Sequence, residues 1–179
     1  MGKRDPEKFE KKPRDAYFTI DPAAVEALLP HLQPRKFFIE PCAGAGDLAK
    51  SLTRIESILV GCAGMCDVEP QGEGVVQRSC LNIGEKEAWF AEYFITNPPF
   101  TWKVLQPIMD HLISLLPTWL LLPADYMHNV RMGPYMKRCE KVVSIGRLYW
   151  EDNKVKGVDN YCWYHFNQDH EGNTEFVGR

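Results

Sequence analysis

The residues Asn97-Pro98-Pro99-Phe100 set an amide side chain, two imino acids and an aromatic ring in consecutive positions. They follow the apolar run Tyr93-Phe94-Ile95-Thr96, which reads as a buried strand. Proline has no N–H and a fixed φ, and it pushes the preceding residue into extended geometry. The spacing therefore predicts a stiff turn at a strand end, with carbonyls not consumed by local hydrogen bonds. Such a corner can accept hydrogen bonds from an amino group on a flat ring while the phenyl group covers the ring's face. A plain strand-terminating turn would use the same residues, so the surrounding sequence has to decide between the two.

A second constellation is the turn Glu40-Pro41-Cys42-Ala43-Gly44-Ala45-Gly46-Asp47, which follows the short apolar run Phe37-Phe38-Ile39. Open α/β sheets bind ligands outside the carboxyl ends of their strands. Glycines there let a ligand approach the backbone closely. The G-x-G spacing continues to Ala49 and not to a third glycine, the looser form of a dinucleotide fingerprint. Close helix–strand packing accounts for a lone G-x-G about as well as a ligand does. Asp67, in the turn Asp67-Val68-Glu69-Pro70, lies roughly 20 residues further on, where an acidic side chain can accept from ribose hydroxyls. No basic residue lies in the glycine turn or beside Asp67. A nucleoside cofactor without phosphates fits this better than a pyrophosphate.

The elements that must position these groups alternate between strand and helix. Asp21-Pro22 reads as an N-cap followed by proline at the first helical position. Val25, Leu28 and Leu29 supply that helix's apolar face, and Leu48, Leu52 and Ile55 supply the next one. Strands are predicted at 37–39, 74–78, 93–96, 119–122, 142–145 and 161–166, with another in the ambiguous stretch 58–68. Residues 105–116 carry helical periodicity, and 127–138 read as partly helical with a break at Gly133-Pro134. The polar segment 151–160 predicts an antiparallel return at the sheet edge. The expected fold is α/β, with a mostly parallel sheet covered by helices on both faces.

Composition narrows the function. The 179 residues suffice for one domain with a real core. A formal net charge of −3 gives no global attraction for a polyanion, so nucleic-acid binding must rest on a local patch or on base contacts. No run approaches the length of a membrane span and no secretory signal is apparent, so a cytoplasmic protein is expected. The six cysteines form no C-x-x-C pair and no histidine sits at ligand spacing, so reduced core thiols are expected and no metal. Residues 1–15 read as a flexible polar N-terminal tail, or a basic arm that touches phosphates. Residues 16–167 read as the catalytic domain and 168–179 as a polar C-terminal tail.

Tyr17-Phe18-Thr19, the glycine turn, Asp67-Val68-Glu69-Pro70 and Asn97-Pro98-Pro99-Phe100, in that order, resemble the S-adenosylmethionine-dependent amino-methyltransferases. The closest resemblance is to DNA N6-adenine methyltransferases, especially the short stand-alone forms borne by phages. It spans roughly residues 15 to 166, with Asp159-Asn160-Tyr161-Cys162-Trp163-Tyr164 matching the family's last strand. It implies a Rossmann-like seven-stranded sheet, the class I methyltransferase fold, and a host-cell cytoplasmic setting if phage-encoded. In that reading Glu40, Cys42, Ala43, Gly44 and Gly46 hold the methionine part of S-adenosylmethionine, and Thr19 sits near its carboxylate. Asp67 takes the ribose hydroxyls, Val68 packs on the adenine ring, and Leu81 and Asn97 complete the cofactor-binding set. Asn97 and the Pro98 carbonyl accept from the target amine, Pro99 stiffens the turn, and Phe100 stacks on a flipped base.

Two features depart from the family. Ser79 or Cys80 stands where it usually has an acidic residue near the cofactor's adenine amine. Only residues 167–179 follow Phe166, too few for a recognition domain, so specificity would come from loops, a homodimer or a partner. Trp102 and Lys103, and Tyr126, His128 and Asn129, fall where they could meet a substrate. The same chemistry on RNA or on a protein glutamine stays open, as does a cofactor-binding protein without catalysis. A nicotinamide oxidoreductase would leave the Asn-Pro-Pro-Phe turn without a role.

Overall fold

The computed structural model describes residues 17, 19–55, 60–150 and 154–179; the expected N-terminal tail lies outside the described residues. The strands are β1 (Phe37–Glu40), β2 (Gly61–Asp67), β3 (Val76–Gln77), β4 (Tyr93–Thr96), β5 (Thr118–Pro123), β6 (Cys139–Tyr149), β7 (Lys156–Phe166) and β8 (Glu175–Val177). They form one sheet in the order β3-β2-β1-β4-β5-β7-β6-β8. The pairs from β3 through β5 are parallel, and β7 runs antiparallel to both β5 and β6.

The described sheet thus has eight strands where the sequence predicts seven. The extra one, β8, comes from the segment expected as a polar tail and pairs in parallel with β6, opposing Lys141 with Glu175. Its three residues are too few to show any periodicity. Backbone pairing and a 3.0 Å Lys141–Glu175 ion pair hold it at the edge. The antiparallel return also lies two places inside the edge strand β8, because β7 inserts between β5 and β6.

Side chains alternate across the sheet with period two. Phe38, Ile95, Trp119, Leu121 and Trp163 face a core shared with α1 (Pro22–Leu28) and α2 (Asp47–Thr53). Leu120, Leu122, Cys162, Tyr164 and Phe166 face the opposite layer, where α4 (Trp102–Leu115) contributes Leu105, Met109 and Ile113. Ile108 and Leu112 of α4 meet Ile39 and Phe94 on that side. Two shorter helices, α3 (Glu85–Ala88) and α5 (Gly133–Met136), complete the layers. Gly133-Pro134, predicted as a break, instead opens α5, since proline is tolerated in a first turn where no N–H is needed.

β2 was hard to read because its small residues carry no period. Its first glycine is required by a close approach: a Cβ on Gly61 would lie 2.5 Å from the Phe37 ring of the neighbouring strand. Among the described residues no helix is long and apolar enough to cross a membrane.

Buried Asp21 ties the first helix to the sheet. Asp21 caps α1 by accepting from Ala23 N at 3.0 Å, and its other oxygen accepts from Tyr149 N at the end of β6, at 3.2 Å. Asp21→Ala removes both bonds and is expected to cost about 1–3 kcal/mol, read as a lower urea midpoint at unchanged slope.

His165 of β7 stacks face to face on Trp119, with centroids 4.4 Å apart. Its pKa is pushed down to about 4 by burial, which outweighs the Glu140 carboxylate 3.3 Å from Nδ1; nearby Lys141, His170 and His31 push the same way as burial. The imidazole takes up a proton near pH 6.5 in the unfolded chain but only near 4 in the folded one. Its contribution is complete above about pH 6.5 and is lost as pH falls towards 4. His165→Gln should flatten that part of the stability profile, by up to about 1.4 kcal/mol per pH unit.

Candidate functional site

β1 connects outward to β2 on one side, while its other neighbour, β4, arrives later in the chain. The crevice at the carboxyl ends of these two strands is the switch point of the sheet, where open α/β folds take ligands. Both predicted constellations meet there. The β1–α2 loop is bound to the end of β4 by Thr96, whose fully buried hydroxyl accepts from Cys42 N at 3.2 Å and lies 3.5 Å from Cys42 O.

The same loop is bound to β2 by Asp67. One carboxylate oxygen accepts from Gly44 N and the other from Glu69 N, both at 2.8 Å. Each oxygen keeps a second lone pair for an outside donor. Gly44 and Gly46 take positive φ values of 53° and 77°, as the tight turn requires. Gly72, which the sequence did not single out, is needed for contact: a Cβ there would sit 2.1 Å from the Ala45 carbonyl oxygen. Gln71 N donates to Gly44 O at 2.9 Å alongside it.

These loops enclose a cavity of about 250 Å³. Of the predicted ligand residues, Thr19, Glu40, Cys42, Ala43, Gly44, Asp67, Val68, Leu81, Asn97 and Pro99 line it. Gly46 does not line it and instead caps α2. Pro98 is buried within the turn. Tyr17, Val104, Pro107 and Ile108 also line the cavity; the last three lie on α4, and the sequence does not single them out as ligand contacts.

The wall carries four acidic side chains, Glu40, Asp47, Asp67 and Glu69, and no Lys, Arg or His. Glu40 is 2% exposed and accepts from Ala49 N at 3.0 Å. Burial holds its pKa well above the usual carboxylate range, against the Ala49 N–H and with help from Asp47 and Asp67. Val68 and Leu81, both on the cavity wall, leave 59% and 43% of their surfaces exposed. Cys42 and Cys80 pair across the wall as thiols. Cys42 donates and is held well above the usual thiol range, while accepting that bond lowers Cys80. All six cysteines are free, and no metal-binding group of side chains occurs among the described residues.

Asn97 is the most specific feature. Its Nδ2 donates to the Tyr17 carbonyl at 2.7 Å, and only an N–H can face that oxygen, so the amide orientation is fixed. Its Oδ1 is buried and has no hydrogen-bond partner among the described residues. An unpaired buried acceptor costs about 1–3 kcal/mol, and such groups in native structures call for an explanation.

Phe100 lies outside this cavity and lines a second one with Trp102, Tyr126 and Asn129; His128 lines neither. Its ring is half-buried. Tyr17 stacks on it at 5.4 Å and 20°, and Tyr161 and Trp150 stand around it. The face predicted for a base is therefore covered by Tyr17. The Phe100 carbonyl is fixed from the other direction by Tyr126 Oη, at 2.6 Å. Lys154 and Lys156 are exposed on the β6–β7 connection, while Trp150 packs inward on Tyr17 and Tyr161.

No protein-family model matches the sequence, and no curated protein matches it. Solved structures match it in shape. One is a Listeria monocytogenes protein assigned to the class I S-adenosylmethionine-dependent methyltransferases, with a TM-score of 0.62 at 8% identity over 96% of this chain and 68% of that one. Another is the methyltransferase subunit of a Streptococcus thermophilus type I restriction-modification system, with 0.60 at 10% identity over 90% of this chain. The chain spans 47% of that subunit's length. A third is a dimethyladenosine transferase from Plasmodium falciparum, with 0.54 at 14% identity, covering 86% of this chain and 64% of that one. At these identities the likeness establishes the fold: the chain has the class I methyltransferase fold.

The Thr96 bridge is directly testable. Thr96→Val keeps the shape but leaves the Cys42 N–H without its acceptor, and should cost about 1–3 kcal/mol. Chemical denaturation checks this, with Thr96→Ser restoring most of the loss.

Proposed function

We propose that this chain transfers a methyl group from S-adenosylmethionine to an exocyclic amine, and that the amine is N6 of adenine in DNA. The observation that carries the reading is the buried, unpartnered Asn97 Oδ1, held by its own amide nitrogen beside a cavity at the switch point.

The cavity suits that cofactor. An all-acidic set of ionisable walls favours a sulfonium cation and repels a pyrophosphate, which speaks against a nicotinamide dinucleotide. Asp67 can take the ribose hydroxyls through its remaining lone pairs, and the exposed faces of Val68 and Leu81 can cover the adenine ring. Thr19, Cys42, Ala43 and Gly44 would surround the methionine part, with Glu40 behind them supporting α2. The cofactor, once bound, supplies an already activated methyl group, so neither a metal nor a covalent enzyme intermediate is required.

The protein's task is then to prepare the nitrogen. An aromatic amine is a poor nucleophile because its lone pair is delocalised into the ring. Acceptance of its hydrogens by Asn97 Oδ1 and the Pro98 carbonyl favours a pyramidal nitrogen and re-aims the lone pair. The two prolines keep that corner rigid, so positioning supplies most of the rate. A base within a duplex must be extruded to reach it, at a few kcal/mol, offset in part by stacking on Phe100. That stacking requires Tyr17 to swing away, while the Tyr17 carbonyl can go on holding Asn97.

The resemblance to short phage-type enzymes favours DNA as the substrate.

Incubation with methyl-labelled cofactor and duplex DNA, single-stranded DNA, RNA or cell-extract protein tests the reading. Label is expected in DNA and should fall at least about a hundredfold in Asn97→Ala, with cofactor binding retained. Label only in RNA or protein would redirect the substrate, and binding without transfer to any of them would refute catalysis. Tyr17→Ala opens the Phe100 face and should lower KM for DNA at unchanged kcat; a raised KM would show that the Tyr17 ring is a wall of the base site.

A further inference from the structure

The Asn97–Phe100 turn borders two cavities, since Asn97 and Pro99 line the first and Phe100 lines the second. The proposed chemistry uses the Phe100 ring from its wall and gives Trp102, Asn129 and Arg131 no role. It measures about 350 Å³ and is lined by Phe100, Trp102, Tyr126, Asn129, Arg131 and Met132.

Its walls are built rather than incidental. The Trp102 ring stands edge-on to Tyr135 at 6.1 Å, and the Tyr135 hydroxyl is fixed by Asp110 at 2.6 Å. The Arg131 guanidinium lies over the Trp102 ring, 5.9 Å from its centroid. Arg131 is exposed and makes no ion pair among the described residues. Tyr126 closes the inner wall through its bond to the Phe100 carbonyl. Asn129 places a carboxamide at the exposed rim, and no acidic side chain lines the cavity.

This combination contrasts with the acidic first cavity. Aromatic faces accept any flat ring, an unpaired guanidinium takes a phosphate, and a carboxamide can pair with a base edge. A purely apolar ligand would make no use of Arg131, and a small anion would make no use of the rings. With a net charge of −3 the chain has no global hold on a nucleic acid, so any grip must be local.

We propose that the second cavity is a nucleotide subsite. It takes the base and phosphate of a nucleotide neighbouring the target, with the base on the Trp102 side and the phosphate on Arg131. The inference rests on the nucleic-acid reading above and adds where the strand is held.

The test is fluorescence anisotropy of a labelled single-stranded oligodeoxynucleotide with the full chain, at several salt concentrations. Wild type is compared with Trp102→Ala, Trp102→Phe and Arg131→Ala, while calorimetry follows S-adenosylmethionine and melting checks the fold. Trp102→Ala should weaken oligonucleotide binding about tenfold, with most affinity retained in Trp102→Phe. Arg131→Ala should weaken it too and lower the slope of log affinity against log salt by about 0.7. Cofactor affinity should be unchanged in all three. Equal oligonucleotide affinity across the variants overturns the subsite, and the methyl-transfer reading still stands if Asn97-dependent label enters DNA. A chain that binds no oligonucleotide overturns both the subsite and the DNA substrate. Binding through Trp102 and Arg131 without Asn97-dependent transfer supports the subsite and overturns the catalytic reading.

Discussion

One buried hydroxyl holds the two halves of the candidate site in register. Thr96 ends β4, and its side chain bridges the backbone of Cys42 in the loop that follows β1. Those strands are adjacent only because the chain order reverses between them. A parallel sheet leaves the last carbonyls and amides of its strands without ladder partners at this point, so each must find a local partner or a ligand. Thr96 satisfies Cys42, Asp67 satisfies Gly44 and Glu69, and Gly72 lets the outer loop lie against Ala45. The cavity is the space that remains after these loops have satisfied one another.

Asn97 stands apart from this pattern of satisfied groups. Its nitrogen is spent on Tyr17 O, and its oxygen is left buried without a partner. A carboxamide free to rotate would relieve that cost by turning, but the Tyr17 carbonyl forbids it. The N-terminal segment at residue 17 thus does two opposed things. Its backbone sets the acceptor, and its ring occupies the Phe100 face that a planar substrate would use. A site closed by its own chain protects two exposed-type groups from water until a competing ring arrives, and the exchange of one aromatic stack for another costs less than uncovering a bare face.

Much of this was legible in the sequence because it is written in local chemistry. Asp21-Pro22 gave the first helix, the apolar run 93–96 gave β4, and the Asn-Pro-Pro turn placed an acceptor at its end. Most of the residues expected around the first cavity are on its wall. What could not be read depends on contacts distant along the chain. β8 has only three residues, and nothing in them signals a partner in β6. Gly72 looks like any loop glycine until Ala45 is beside it. Val104, Pro107 and Ile108 carry ordinary helix-face character, and nothing in their spacing signals the cavity they line. The Tyr17 stack on Phe100 joins residues with no periodic relation.

The two cavities divide the electrostatics in a way that a small, mildly acidic chain requires. A polyanion and a cationic ligand cannot share one undivided field, because walls that favour one repel the other. Here the negative groups cluster around the β1–α2 loop, where burial holds the Glu40 pKa well above the usual carboxylate range. The Arg131 guanidinium lies across the Asn97–Phe100 turn, over an indole that tolerates its charge without neutralising it. A carboxylate in place of the Trp102 ring would hold Arg131 in an ion pair and remove it from any phosphate. An aromatic face instead anchors the cation while leaving its N–H donors in the plane free to bind. The turn therefore lies between a wall of acidic side chains and a wall that carries Arg131, and the buried amide oxygen of Asn97 sits at the acidic one.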